Sequence, residues 1–152
     1  MESRKPIAED LFTWPADDPA LLAGRCSACD TLAFPLRDSC PRCGGTAIER
    51  TTLEREGVLW SWTSQGFRPK APFSGTLLGA DNEVWYVGLV EIGGSIRVES
   101  LLTGVAEADL AIGMPLRLTV IPFRTDETGA EVVTFAFEPA AIAAKTSEVV
   151  HV

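Results

Sequence analysis

The sequence predicts a mainly β chain in which a small cysteine-stapled module precedes a small closed barrel. Three observations point there. All four cysteines lie in residues 25–45 as two C-x2-C pairs; five β-rich runs follow from residue 57; and one short stretch suited to a single helical turn separates the third run from the fourth. Strand runs in that number, with a short helical insert after the third, match a five-stranded Greek-key barrel of the OB type.

Residues 1–24 form an N-terminal segment whose prolines, Pro6, Pro15 and Pro19, rule out one long helix. The run ADDPALLAG after Pro15 reads as one short helix, with Asp17 or Asp18 as cap, Pro19 in the first turn and Gly24 as the stop. Phe12 and Trp14 have no local core. They pack either on the chain's own later domain or on a partner.

Residues 25–56 read RCSACDTLAFPLRDSCPRCGG followed by TAIERTTLERE. Each C-x2-C step turns two thiolates toward one point, and two such turns complete a tetrahedron around an ion. Cys26, Cys29, Cys40 and Cys43 therefore form a closed, structural site with no position left for water or substrate. Zinc is the expected ion, with iron in a rubredoxin-like site the alternative, since an all-sulfur tetrahedron suits both. Disulfides need an oxidising compartment, whereas MESRKPIAEDLF has no apolar h-region, so the expected location is the cytoplasm. Pro41 and Gly44 set the second turn, while the first has Asp30 where the second has Gly44. Phe34 and Leu36 are expected to pack over the ion, and residues 46–56 to return as a strand.

Residues 57–140 carry the barrel. GVLWSWTSQGF alternates Val58, Trp60 and Trp62 with Leu59, Ser61 and Thr63, the period of a strand with one heavily apolar face. The proline- and glycine-rich stretch RPKAPFSGTLLGADNE is a long loop. VWYVGLVEI, SIRVESLL, PLRLTVIPFR and EVVTFAFEP supply the other strands, with hairpin signals at Gly93-Gly94 and at residues 126–129. The stretch EADLAIG holds the helical turn. Residues 141–152 are an alanine-rich, weakly helical tail.

Net charge is −8, and only Arg68 and Lys70 stand in a stretch without acids. Phosphate backbones demand a basic face, so nucleic acid is not an expected partner despite the ribbon and barrel. No apolar run approaches the ~20 residues of a membrane span. The single histidine, His151, is the penultimate residue, so no Ser-His-Asp or Cys-His pair can be built in a rigid core. Asp81, Glu83, Glu91 and Glu99 are expected at solvated outward positions.

Several stretches together, RCSACDTLAFPLRDSCPRCGG, LEREGVLWSWT, VGLVEI, AIGMPLRLTV and FAFEPA, give the chain a resemblance to the acyl-CoA-associated zinc-ribbon/OB-fold proteins, domain of unknown function 35. The resemblance covers most of the chain. It implies a small, non-catalytic subunit that binds and stabilises a thiolase-fold enzyme (a thiolase, an acyl-CoA synthase or a side-chain aldolase) and helps shape its acyl-CoA channel. A symmetric thiolase dimer then suggests two copies of each subunit.

In that setting Trp60, Trp62, Phe67, Arg68, Lys70 and Phe73 are the candidate surface for CoA or the partner, because aromatics and the only basic pair coincide there. The competing reading places Trp60 and Trp62 in the barrel core. Two other functions fit parts of the sequence: a single-strand nucleic-acid binder stacking bases on Trp60, Trp62, Trp85 and Phe67, and an iron electron carrier.

Overall fold

The computed structural model describes residues 3–75 and 83–140, so the expected helical tail lies outside the described residues. Nine strands run through them: β1 Arg4–Pro6, β2 Leu22–Cys26, β3 Leu32–Ala33, β4 Ile48–Thr52, β5 Glu56–Gln65, β6 Trp85–Ile92, β7 Ile96–Leu102, β8 Pro115–Thr125 and β9 Glu131–Pro139. A single 3-10 turn, Glu107–Asp109, sits between β7 and β8, where the sequence predicts it.

Strands β3-β2-β4 make a three-stranded ribbon sheet, and β1-β9-β7-β6-β5-β8 make a sheet closed by the additional pairing of β8 with β9. The β7–β9 contact is parallel and rests on one register pair, Leu102 with Phe137. A meander of three strands closed through a parallel third-to-fifth contact is the OB barrel. Gly93 and Gly94 take φ of 61° and 66° at the tip of the β6–β7 hairpin, where the Ser95 amide closes the turn on the Ile92 carbonyl at 3.2 Å, left-handed values that glycine adopts without a Cβ penalty.

The short helix expected after Pro15 does not form, and β2 begins at Leu22 instead. So short a run nucleates a helix poorly, whereas Leu22 to Cys26 gains a full antiparallel register with Ile48 to Thr52. Gly24, read as a helix stop, serves close packing: a Cβ there would stand 2.6 Å from Cγ2 of Ile48. Residues 3–24 reach both sheets, since Arg4–Pro6 lies parallel to β9 and β2 starts at Leu22 beside β4, with Phe12 bridging Leu21 between them.

One core runs through both sheets. Phe12, Leu21, Ala23 and Leu53 from the ribbon side join Leu59, Val90, Val98, Leu116, Val133 and Phe137 of the barrel. Phe12 is buried within this core and Trp14 packs against it, so both serve the chain's own fold. Phe34 meets Phe135 of β9 edge-on at 5.6 Å, so it joins the ribbon to the barrel where the sequence placed it over the ion. Arg55 stitches the same seam, donating from Nε to the Pro19 carbonyl at 2.9 Å and from Nη2 to the Leu118 carbonyl at 3.3 Å.

The Asp126 carboxylate organises the β8–β9 turn. It accepts the amides of Thr128 and Ala130, both at 2.9 Å, and the Thr128 hydroxyl at 2.7 Å, while Lys5 pairs with its other oxygen. Lys5 first, then the Thr128 hydroxyl, hold this carboxyl far below the usual carboxylate range. A lowered folded-state pKa stabilises fully above the unfolded value of about 3.9 and less as pH falls below it. The stability advantage of wild type over Asp126→Asn, followed by denaturant melts, is therefore expected to be constant near neutrality and to shrink from about pH 4 downward. An advantage that grew with acid would contradict this role.

Candidate metal centre and aromatic surface

Two turns of the same build present the cysteines. The Asp30 amide closes the first on the Cys26 carbonyl at 2.8 Å, and the Gly44 amide closes the second on the Cys40 carbonyl at 3.0 Å. Gly44 has φ of 75° and Asp30 has φ of 64°, so the aspartate occupies the left-handed position that glycine holds in the other turn. Arg25 Nη1 donates to the Asp30 carboxylate at 3.0 Å, which fixes that turn from outside.

All four Sγ atoms lie within 4.8 Å of one another. Cys26 to Cys43 and Cys29 to Cys40 are both 3.6 Å, too long for a disulfide and close to the edge of about 3.8 Å that a metal–sulfur bond of about 2.3 Å gives a tetrahedron. Amides of Arg42 and Gly45 point at Cys40 and Cys43, each at 3.4 Å, and the Thr31 hydroxyl lies 3.2 Å from Cys29. The donor set fits a closed metal site. Cys26 and Cys40 are buried, Cys29 is half-buried and Cys43 is exposed, so the site opens only at one corner.

The thiols are unequal. The Thr31 hydroxyl, then its amide, lower Cys29 to about 6, and the Cys43 amide leads the lowering of Cys40. Against the lowering by the Gly45 amide, the neighbouring sulfurs Cys26, Cys29 and Cys40 together with burial push Cys43 up to about 11. Four sulfurs this close repel one another as thiolates, and a dication removes the conflict.

The aromatic and basic surface is divided. Register shifts in the β5–β6 ladder between Leu59 and Ser61, which makes Trp60 the extra residue of a bulge. The bulge reverses the alternation: Leu59 is fully buried, Val58 and Trp60 are 40% and 44% exposed, and Trp62 turns toward the core against Tyr86 at 6.0 Å. The two tryptophans therefore do not share a face. Trp60 lies under the Arg97 guanidinium at 3.9 Å, and Arg97 also donates to Glu91 at 3.1 Å.

Phe67, Arg68, Lys70 and Phe73 lie on the loop after β5, roughly 17 Å of extended strand beyond Trp60. Phe67 is exposed, and Phe73 stacks on Trp85 at 5.9 Å and meets Phe123 edge-on at 5.7 Å. Arg68 donates to the Gly75 carbonyl at 2.6 Å, so its guanidinium helps close its own loop. Sequence reasoning missed Trp85 and Phe123 as partners of Phe73, and Phe135 as the partner of Phe34. The available signal was the run WYVGLVEI, apolar on both of its faces, which marks a strand covered on its outer side as well.

Ribbon, barrel and closed four-sulfur site together define a zinc-ribbon/OB-fold protein. The chain belongs to the ChsH2 family: residues 13–49 match the rubredoxin-like zinc ribbon domain of ChsH2 and residues 51–120 its C-terminal OB-fold domain. The benzoylsuccinyl-CoA thiolase subunit BbsA of Thauera aromatica is 28% identical over 133 residues, covering 84% of this chain and 83% of that one. A probable enoyl-CoA hydratase alpha subunit of Thermomonospora curvata is 28% identical over 120 residues, 78% of this chain but 35% of the longer protein. Among solved structures, a chain of the Ltp2-ChsH2(DUF35) aldolase superposes with a TM-score of 0.57 at 27% identity, over 80% of this chain and 85% of that one.

Proposed function

We propose that this chain is a non-catalytic accessory subunit of a thiolase-superfamily enzyme acting on acyl-CoA, which it binds, stabilises and helps to shape around the acyl-CoA channel. One observation carries the reading: similarity over both ribbon and barrel to a thiolase subunit and to the DUF35 member of an aldolase. The chemistry supports it, because the cysteines are committed to a metal and the sequence's one histidine is the penultimate residue.

Zinc is the ion this reading assigns to Cys26, Cys29, Cys40 and Cys43, held for structure, and the compartment is the cytoplasm, where thiols stay reduced. Trp60, Phe67, Lys70 and Phe73, with Arg68 bracing their loop, are the side chains available to CoA or the partner. Acidity at −8 disfavours the nucleic-acid alternative, and no described helix is long and apolar enough to cross a membrane.

The test is affinity purification of the tagged chain from its native host, with mass spectrometry and metal analysis of the eluate. A thiolase-type subunit in fixed ratio and one zinc per chain are expected. A colourful, iron-loaded protein eluting alone would refute the assignment.

A further inference from the structure

The outer face of the barrel carries an apolar groove. Along β6, Gly88 and Val90 are buried in the barrel, so the alternating Val87 and Leu89 point outward. Between β7 and β9 a cavity of about 330 Å³ is walled by Trp85, Val87, Leu101, Phe123 and Phe135, with Phe73 leaning over one end. A second hollow of about 230 Å³ continues it past Thr63 and Leu89, and the two share Val87 and Glu99.

Glu99 is the anomaly of this surface. It stands opposite Leu89 in the β6–β7 register, between the two hollows. Glu91, Glu131 and Glu138 each pair with an arginine, Arg97, Arg4 and Arg117, whereas no described cation pairs with Glu99. An apolar trough with a single unneutralised carboxylate at its middle is complementary to a side chain with an apolar stem and a cationic head.

We propose that this groove is the docking site for the thiolase-type subunit, which seats a lysine or arginine there: the stem lies along Val87 and Leu101, the charged head meets Glu99, and an adjoining apolar residue enters beside Phe73. The inference rests on the function proposed above and adds the face and the chemistry of contact. Acyl-CoA itself fits this groove poorly. Its phosphates would approach Glu99 on a chain of charge −8, and a hollow of about 330 Å³ lies at the small end of pockets that enclose whole ligands.

The experiment is calorimetry of the full-length chain against the thiolase-type subunit that copurifies with it. Wild type is compared with Glu99→Lys, Glu99→Gln and Glu54→Lys, the last making the same change of net charge at an exposed position outside both hollows. Glu99→Lys is expected to weaken binding by about 30-fold or more, Glu99→Gln by less, and Glu54→Lys by no more than about threefold, with unchanged melting temperatures.

Wild-type binding with equal affinities for Glu99→Lys and Glu54→Lys would overturn the groove and leave the accessory role standing. No thiolase-type partner for wild type would bring down both. In a parallel arm, hexanoyl-CoA is titrated into the isolated chain with tryptophan fluorescence as readout. Saturable quenching at micromolar concentration that Leu101→Ser abolishes would assign the groove to the thioester and overturn the docking proposal.

Discussion

Chelation of the metal, or Cys40→Ser, is expected to unravel the ribbon and to leave the barrel folded at reduced stability. Between β2 and β4 the chain has only the two residues of β3 as regular structure, and no independent apolar core sits beneath the cysteine turns. In zinc-finger modules the metal supplies roughly 10–16 kcal/mol of apparent binding energy, which is folding energy because the site does not pre-exist in the unfolded chain. Cys40 is the most telling single change, since it is buried, receives the Arg42 amide and anchors the second turn.

The damage will not stop at the turns, because Leu21, Ala23 and Leu53 belong to the same core as Phe137 and Val133. Hydrogen exchange should show residues 26–45 fully labelled at early times and β2 and β4 weakened, with β6 and β9 still slow. Full protection of residues 26–45 in metal-free protein would show that the metal is not what folds them. Thiols must shed their protons to bind as thiolates, so metal release is also expected on acidification.

Phe137→Ala is expected to produce the largest loss among barrel substitutions. Phe137 is fully buried and occupies the single register pair that joins β7 to β9, backed by the Thr103 amide donating to its carbonyl at 2.9 Å. Truncating a buried phenylalanine costs about 3–5 kcal/mol from lost transfer energy and the cavity left behind. For a chain of this size that lowers the melting temperature by about 10 °C. Phe67→Ala, at the other extreme of exposure, is expected to leave it within about 1 °C. Equal effects of the two would mean that the barrel does not close through Phe137.

The metal site was legible because ligand spacing is local: two C-x2-C pairs specify their turns whatever surrounds them. The five barrel strands were legible for a related reason, since glycine turns and β-branched runs mark them one at a time. What the sequence hid depends on pairing between distant segments. Leu21 and Leu22 look like a helix face until Phe12 bridges the first and β4 pairs with the second, and Gly24 looks like a stop until Ile48 packs against it. Trp60 and Trp62 share a face in any strict period of two, and only the bulge, set by the ladder with β6, separates them. The groove around Glu99 is assembled from β5, β6, β7, β8, β9 and a loop, and so left only the two-sided apolarity of β6 as a trace.

The most direct test of the accessory role is to express the thiolase-type subunit with and without this chain, and to measure its soluble yield and acyl-CoA turnover. The partner alone is expected to give a lower soluble yield and to be inactive, coexpression to restore both properties in a complex of fixed stoichiometry, and this chain alone to turn over nothing. A partner equally soluble and active without it, or thioester turnover by this chain unaided, would contradict the account.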